Sequence, residues 1–168
     1  MTTLLMGTMF SIALPAGKAA LDSLELGNTT RAIERELQTA RMRAVSSNRP
    51  MRVKFNCPAD GQYRLVEVTG FPATDNAGSR CDETLFGYPG PKDNARATPK
   101  HEGPLRRVGS GIDELIGPEL EFSPDGTTRL VTNGTVQTMT ADAVVEVGRQ
   151  GAVKEITVNA LGRITLVQ

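Results

Sequence analysis

The run Ile33-Glu34-Arg35-Glu36-Leu37-Gln38-Thr39-Ala40-Arg41-Met42-Arg43-Ala44-Val45-Ser46-Ser47-Asn48-Arg49-Pro50-Met51-Arg52-Val53-Lys54-Phe55 changes period part-way along. In its first half Ile33, Leu37, Ala40 and Ala44 recur at steps of four, three and four, which places them on one face of a helix. In its second half Met51, Val53 and Phe55 alternate with Arg52 and Lys54, the pattern of a half-buried strand. Asn48-Arg49-Pro50 separates the two halves, because the residue before a proline is pushed out of the helical region. A helix that hands over to strands is the organising feature of the chain.

Working toward the N-terminus, the helical pattern reaches back to Lys18. Gly27-Asn28 interrupts it, which predicts a kink or break, with Thr29 or Thr30 as the cap of the second piece. From Met1 to Gly17 no residue is charged and most are apolar. As a helix, 17 residues span about 25 Å, less than the roughly 30 Å hydrocarbon core of a bilayer. Three readings fit: a membrane segment whose beginning precedes Met1, a secretory signal, or a buried core helix. A signal would need a basic region ahead of the apolar run, and a core helix would need cover on all sides. The membrane segment is the reading adopted.

Toward the C-terminus, Asp60-Gly61 predicts a turn and Tyr63 to Thr69 the returning strand. Residues 70–104 follow without periodicity, with five glycines, five prolines and Cys81, as in a functional or surface loop. Leu120-Glu121-Phe122 runs into the turn Ser123-Pro124-Asp125-Gly126, where proline presets φ and glycine takes a left-handed position. Thr128 to Val131, Ala143 to Val147, Val153 to Val158 and Arg163 to Val167 read as further strands. Hairpin-sized connections lie at 148–151 and 159–162, and the whole predicts a β-meander with one buried face.

Composition narrows the function. The 168 residues carry 19 basic and 19 acidic side chains, so no global positive charge makes the whole chain a nucleic-acid binder. Seven aromatics and no tryptophan make a poor stacking surface for single strands. Two cysteines and one histidine, His101, offer no zinc cage, and no cofactor or metal is expected. Ser110 and Ser123 lack a nucleophile-elbow context, and no phosphate-binding glycine pattern occurs. These features argue against an enzyme and against a small-molecule substrate. Between Arg31 and Lys54 seven basic and two acidic residues give a local charge of +5. Such a charge suits a solvated helix face, acidic neighbours, phosphate or anionic lipid.

An uncharged N-terminal segment ending in Ala13-Leu14-Pro15, a helix and a β-rich remainder together resemble type IV pilin-like proteins. The run Leu37 to Val45 followed by Asn48-Arg49-Pro50 and Arg52-Val53 resembles the GspH/FimT family of type II secretion pseudopilins and type IV minor pilins. Phe122-Ser123-Pro124-Asp125-Gly126 and Ile156-Thr157-Val158 leading to Gly162-Arg163-Ile164 add to the likeness. The resemblance implies an α+β, pilin-like fold: a long N-terminal helix followed by a β-rich head of antiparallel sheets. It divides the chain into an apolar membrane and filament segment at 1–17, a helix at 18–48 and a periplasmic head at 49–168 with the long loop at 70–104. Family members begin with a short basic leader, a peptidase site ending in Gly and a Phe-initiated segment bearing a Glu. None of these is present here, so the expectation is a start upstream of Met1.

The resemblance further implies a structural subunit without catalysis, held in the inner membrane and assembled with other pilin or pseudopilin subunits. Leu4, Leu5, Met6, Met9, Phe10, Ile12 and Leu14 would form the apolar helix surface, with Pro15 tolerated among neighbouring helices. A periplasmic head lies in an oxidising compartment, so Cys57 and Cys81 are expected to pair; the alternative is two buried thiols in a cytosolic protein. Some FimT-type relatives bind DNA through a Gly-Arg-x-Arg motif. Here Gly162-Arg163-Ile164-Thr165 has threonine at the last position. A DNA-capturing pilin using Arg163, Arg149, Arg41 and Arg43 is therefore the second reading, and an unrelated anchored or secreted β domain the third.

Overall fold

The computed structural model describes residues 2–89 and 99–167, and side chains from Lys18 onward apart from Ala19. A single helix, α1, runs Thr2–Ser47. Gly27 and Asn28 lie inside it, so the expected break is absent. Tertiary packing explains this. Leu26 and Thr30 are buried on either side, and Thr30 Oγ1 donates to the Leu26 carbonyl at 2.7 Å within the helix instead of capping a new one. The core contacts of the neighbouring turns outweigh the roughly 1 kcal/mol propensity cost of one glycine. The helix does end where expected. Asn48 takes a left-handed φ of 51° and the Arg49 N–H reaches back to the Ala44 carbonyl, a C-terminal cap in which asparagine tolerates that conformation.

The strands are β1 (Met51–Phe55), β2 (Gln62–Glu67), β3 (Arg106–Arg107), β4 (Glu114–Ile116), β5 (Glu119–Phe122), β6 (Thr128–Thr132), β7 (Thr135–Thr138), β8 (Ala143–Arg149), β9 (Ala152–Val158) and β10 (Ile164–Val167). They form two antiparallel sheets, one ordered β3-β2-β1-β5-β6-β7 and the other β10-β9-β8-β4. The single meander predicted from the last third is thus divided. Its first hairpin joins β1 across Met51↔Phe122 and Val53↔Leu120, and only β8–β10 continue as a meander of their own. Sequence gives no sign of that division, because β1 and β5 meet across more than sixty intervening residues.

Between the sheets and α1 lies the core. Ile33, Leu37, Ala40 and Ala44 are all fully buried, against Met51, Val53, Leu65, Leu120, Phe122, Val145, Val147, Ile156 and Val158. The opposite face of the larger sheet is not solvated as the alternation in β1 predicts. Arg52 and Lys54 are 3% and 8% exposed, because β5 brings Glu119 and Glu121 to them: Arg52 Nη2 meets Glu121 at 2.7 Å and Lys54 meets Glu119 at 3.2 Å. Direct cross-strand pairing of opposite charges lets a half-polar strand bury both faces.

The described parts of the stretch from 70 to 104, residues 70–89 and 99–104, are more ordered than periodicity indicates. They contain a one-turn helix, α2 (Pro72–Asp75), and a 3-10 turn at Gly78–Cys81. Cys57 and Cys81 form a disulfide, with Cα atoms 5.6 Å apart, which ties this stretch to the end of β1. Arg64, fully buried on β2, donates to the carbonyls of Cys81, Phe86 and Gly103. Arg80 pairs with Glu102 and lies 4.3 Å over the Phe86 ring. A layer of buried arginines therefore replaces an apolar core here.

Candidate assembly surface

Among the described side chains, the outermost polar hold of the head on α1 is Arg149 at the end of β8. Its guanidinium meets the Asp22 carboxylate at 2.7 Å and Glu25 at 3.1 Å, and donates to the Ser110 carbonyl at 2.6 Å. Asp22 lifts the already high pKa of Arg149, so the clamp is charged at any physiological pH. Gly111, at a φ of 81°, lies where a Cβ would be 2.8 Å from Arg149 Nη1, so a larger residue there would displace the guanidinium. Beyond Asp22 the helix continues for residues 2–21, about 30 Å at 1.5 Å per residue. Leu21 and Leu24 stand 66% and 63% exposed beside the clamp.

At the other end of the helix a second hold operates. Arg41 donates from Nε to the Gly126 carbonyl at 3.2 Å, stitching α1 to the β5–β6 turn. Gly162 passes so close that a Cβ would lie 2.2 Å from the Gly126 carbonyl oxygen, and its φ of 75° belongs to glycine. Around this contact Met42, Val45 and Leu161 are exposed at 63%, 52% and 73%.

The four arginines expected as DNA contacts fall into three separate depressions. Arg41 and Arg163 share one with Gln38, Met42 and Leu161. Arg149 lines another with Lys18, Asp22 and Lys154, and Arg43 a third with Ser46, His101 and Glu102. Arg149 is spent on Asp22 and Glu25, and Arg43 donates to the Glu102 carbonyl at 3.2 Å. The exposed Arg163 is hydrogen-bonded among the described residues only through its backbone, its N–H donating to Asn159 Oδ1 and its carbonyl accepting from the Asn159 N–H. The four do not share one depression.

Leu4, Leu5, Met6, Met9, Phe10, Ile12, Leu14 and Pro15 fall within α1, but their side chains lie outside the described residues. No helix among the described residues is long and apolar enough to cross a membrane. Among those residues no group of three or more His, Cys, Asp or Glu is placed to hold a metal. Sequence reasoning passed over Asp22 and Glu25. A pair of acids one helical turn apart, at i and i+3, marks one face, yet nothing in the chain says that Arg149, 127 positions on, meets it.

A long helix packed against two antiparallel sheets in this order is a pilin-like fold. Residues 29–162 match the family model of the type II transport protein GspH, and the chain belongs to that family. Two crystal forms of the type IV minor pilin FimU of Pseudomonas aeruginosa, strain PAO1, are similar in structure. The P21 form gives a TM-score of 0.50 at 15% identity, over 86% of this chain and 89% of FimU. The P65 form gives 0.48 at 14% identity, over 84% and 92%. At such identity the likeness to FimU is one of fold. A comparison with curated proteins finds none that matches.

Proposed function

We propose that this protein is a minor pseudopilin or minor pilin, a structural subunit of a type II secretion or type IV pilus machine. The observation that supports the reading is the division of α1. The head holds the helix from Asp22 to its end, while about twenty residues, with the apolar set Leu4 to Leu14, extend beyond that hold. Apolar residues on a helix need cover, and lipid or a filament core of bundled subunit helices supplies it. We place the helix in the inner membrane before assembly and the head in the periplasm. The Cys57–Cys81 disulfide fits that oxidising compartment.

Contact with DNA is not favoured. Capturing a duplex takes several cations converging on one face, and here Arg149 and Arg43 serve internal contacts while Arg41 fastens a turn. Cell fractionation tests the proposal. The full chain is expected in the inner membrane, resistant to alkaline carbonate, with its head digested by protease added to spheroplasts. Recovery in the cytosolic fraction, or release by carbonate, would overturn it.

A further inference from the structure

Ile33, Leu37, Ala40 and Ala44 turn one face of α1 to the core, which leaves the opposite face to solvent. Along that face positions 21, 24, 28, 31, 35, 38, 42 and 45 recur at alternating steps of three and four, and every one is exposed. This is the spacing of a coiled-coil seam. Single exposed apolar side chains are ordinary on a protein surface. Here Leu21, Leu24, Met42 and Val45 are the large apolar side chains that α1 exposes among the described residues, and all four fall on the seam. The seam runs about 36 Å at 1.5 Å per residue. In the sequence Gly17, Leu14 and Phe10 continue its spacing toward the N-terminus.

The centre of the seam is cationic. Arg31 and Arg35 stand one turn apart, both exposed, and neither takes part in an ion pair among the described residues. The carboxylates of α1 are all engaged. Asp22 and Glu25 hold Arg149, Glu34 accepts from Gln38 at 3.1 Å, and Glu36 pairs with Arg106. No acid lies on the seam itself. A second copy of this chain laid along it therefore brings no carboxylate from its own seam to either arginine, whatever the stagger. In register it sets Arg31 against Arg31 and Arg35 against Arg35. Covering a guanidinium without a counter-charge is costly, so the seam discriminates against its own copy.

We propose that this seam docks a helix of a different subunit, apolar where it meets Leu21, Leu24, Met42 and Val45 and acidic where it meets Arg31 and Arg35. The proposal rests on the assembly reading above and adds that the neighbour along the head-bearing part of α1 is another kind of chain. The apolar ends of the seam supply contact area, and the arginine pair selects the partner. A neutral or basic helix would leave two guanidiniums covered and unpaired, whereas carboxylates opposite them complete the pairs.

Asn28 lies on the seam between Leu24 and Arg31 and is exposed. A photo-crosslinking residue in its place, in the full chain made in its native cells, is expected to link to a helix of another pilin-like subunit, the linked peptide bearing Asp or Glu. Arg31→Glu/Arg35→Glu in the same chain should cut the yield about tenfold or more. The purified double variant should keep its thermal midpoint, since both side chains are exposed and unpaired among the described residues. Lysines in place of the partner's linked acids should restore the adduct to the reversed chain. Links to a second copy, links to a peptide without an acid, or a yield indifferent to the charge reversal would each overturn the proposal. So would a chain that links through position 10 and not through position 28, a result that leaves the assembly reading standing. Absence of links at both positions would remove that reading as well.

Discussion

Glu102 shows how much of this head rests on single buried charges. It is 2% exposed; Oε1 accepts from Arg80 and from the Glu67 N–H, while Oε2 and the Arg80 Nε and Nη1 atoms have no protein partner. Burial pushes its carboxyl pKa up, and Arg80 opposes that shift only in part. The folded state therefore holds this proton more tightly than the unfolded chain does. Its contribution to stability is largest below the ordinary carboxylate range and declines as pH rises through the folded pKa. Glu102→Gln resembles the neutral carboxyl that burial favours, so above the folded pKa the variant is expected to be at least as stable as the parent. Because the variant lacks the titration, the parent should gain on it as pH falls from above the folded pKa toward about 4.3, where the two converge. Asp82 and Asp125, whose pKa values are held low by Thr84 and Thr127, slope the other way but are common to both chains and cancel. Denaturant titrations of both at several pH values measure the difference; a parent that fails to gain on the variant on acidification would show that the carboxyl is not raised. None of this was legible in the sequence, where Glu102 stands between a histidine and a glycine in an aperiodic stretch.

Among the elements, those with a repeating apolar period were readable and those held by distant partners were not. The Ile33–Ala44 stripe and the β1 alternation both identify their elements, yet β1 also buries its polar face because β5 supplies acids from elsewhere in the chain. β3 and β4 are too short to show a period. β7 shows none either, since all four residues are exposed, although Asn133-Gly134 is a strong hairpin signal and would have located it. The stretch from 70 to 104 has no apolar period, because the order of its described parts comes from buried arginines and a cross-link. That cross-link gives a prediction of its own. The Cys57–Cys81 loop spans a separation of 24 residues, for which chain entropy gives roughly 3 kcal/mol. A Cys57→Ser/Cys81→Ser double variant should lose about that much in denaturant titration while keeping its far-ultraviolet circular dichroism at low denaturant. A midpoint equal to the parent's would show that the buried Arg64 and Arg80 contacts hold the stretch unaided.

For the whole molecule, what matters is that residues 2–21 of α1 run on beyond the Arg149–Asp22 pair. From Leu26 onward the helix contributes to the core of a GspH-family head. The resemblance carried by Leu37 to Val45 and Asn48-Arg49-Pro50 indicated this class of protein from sequence. The clamp at Asp22, by contrast, depends on β8 returning to the helix and could be seen only in three dimensions. The account proposes that residues 2–21 are covered by helices of neighbouring subunits. A photo-crosslinking residue in place of Phe10, in the full chain made in its native cells, tests that most directly. The account predicts adducts, identified by mass spectrometry, with the N-terminal helices of other pilin-like subunits. A chain that links only to its own head, or to no pilin-like protein, would contradict it.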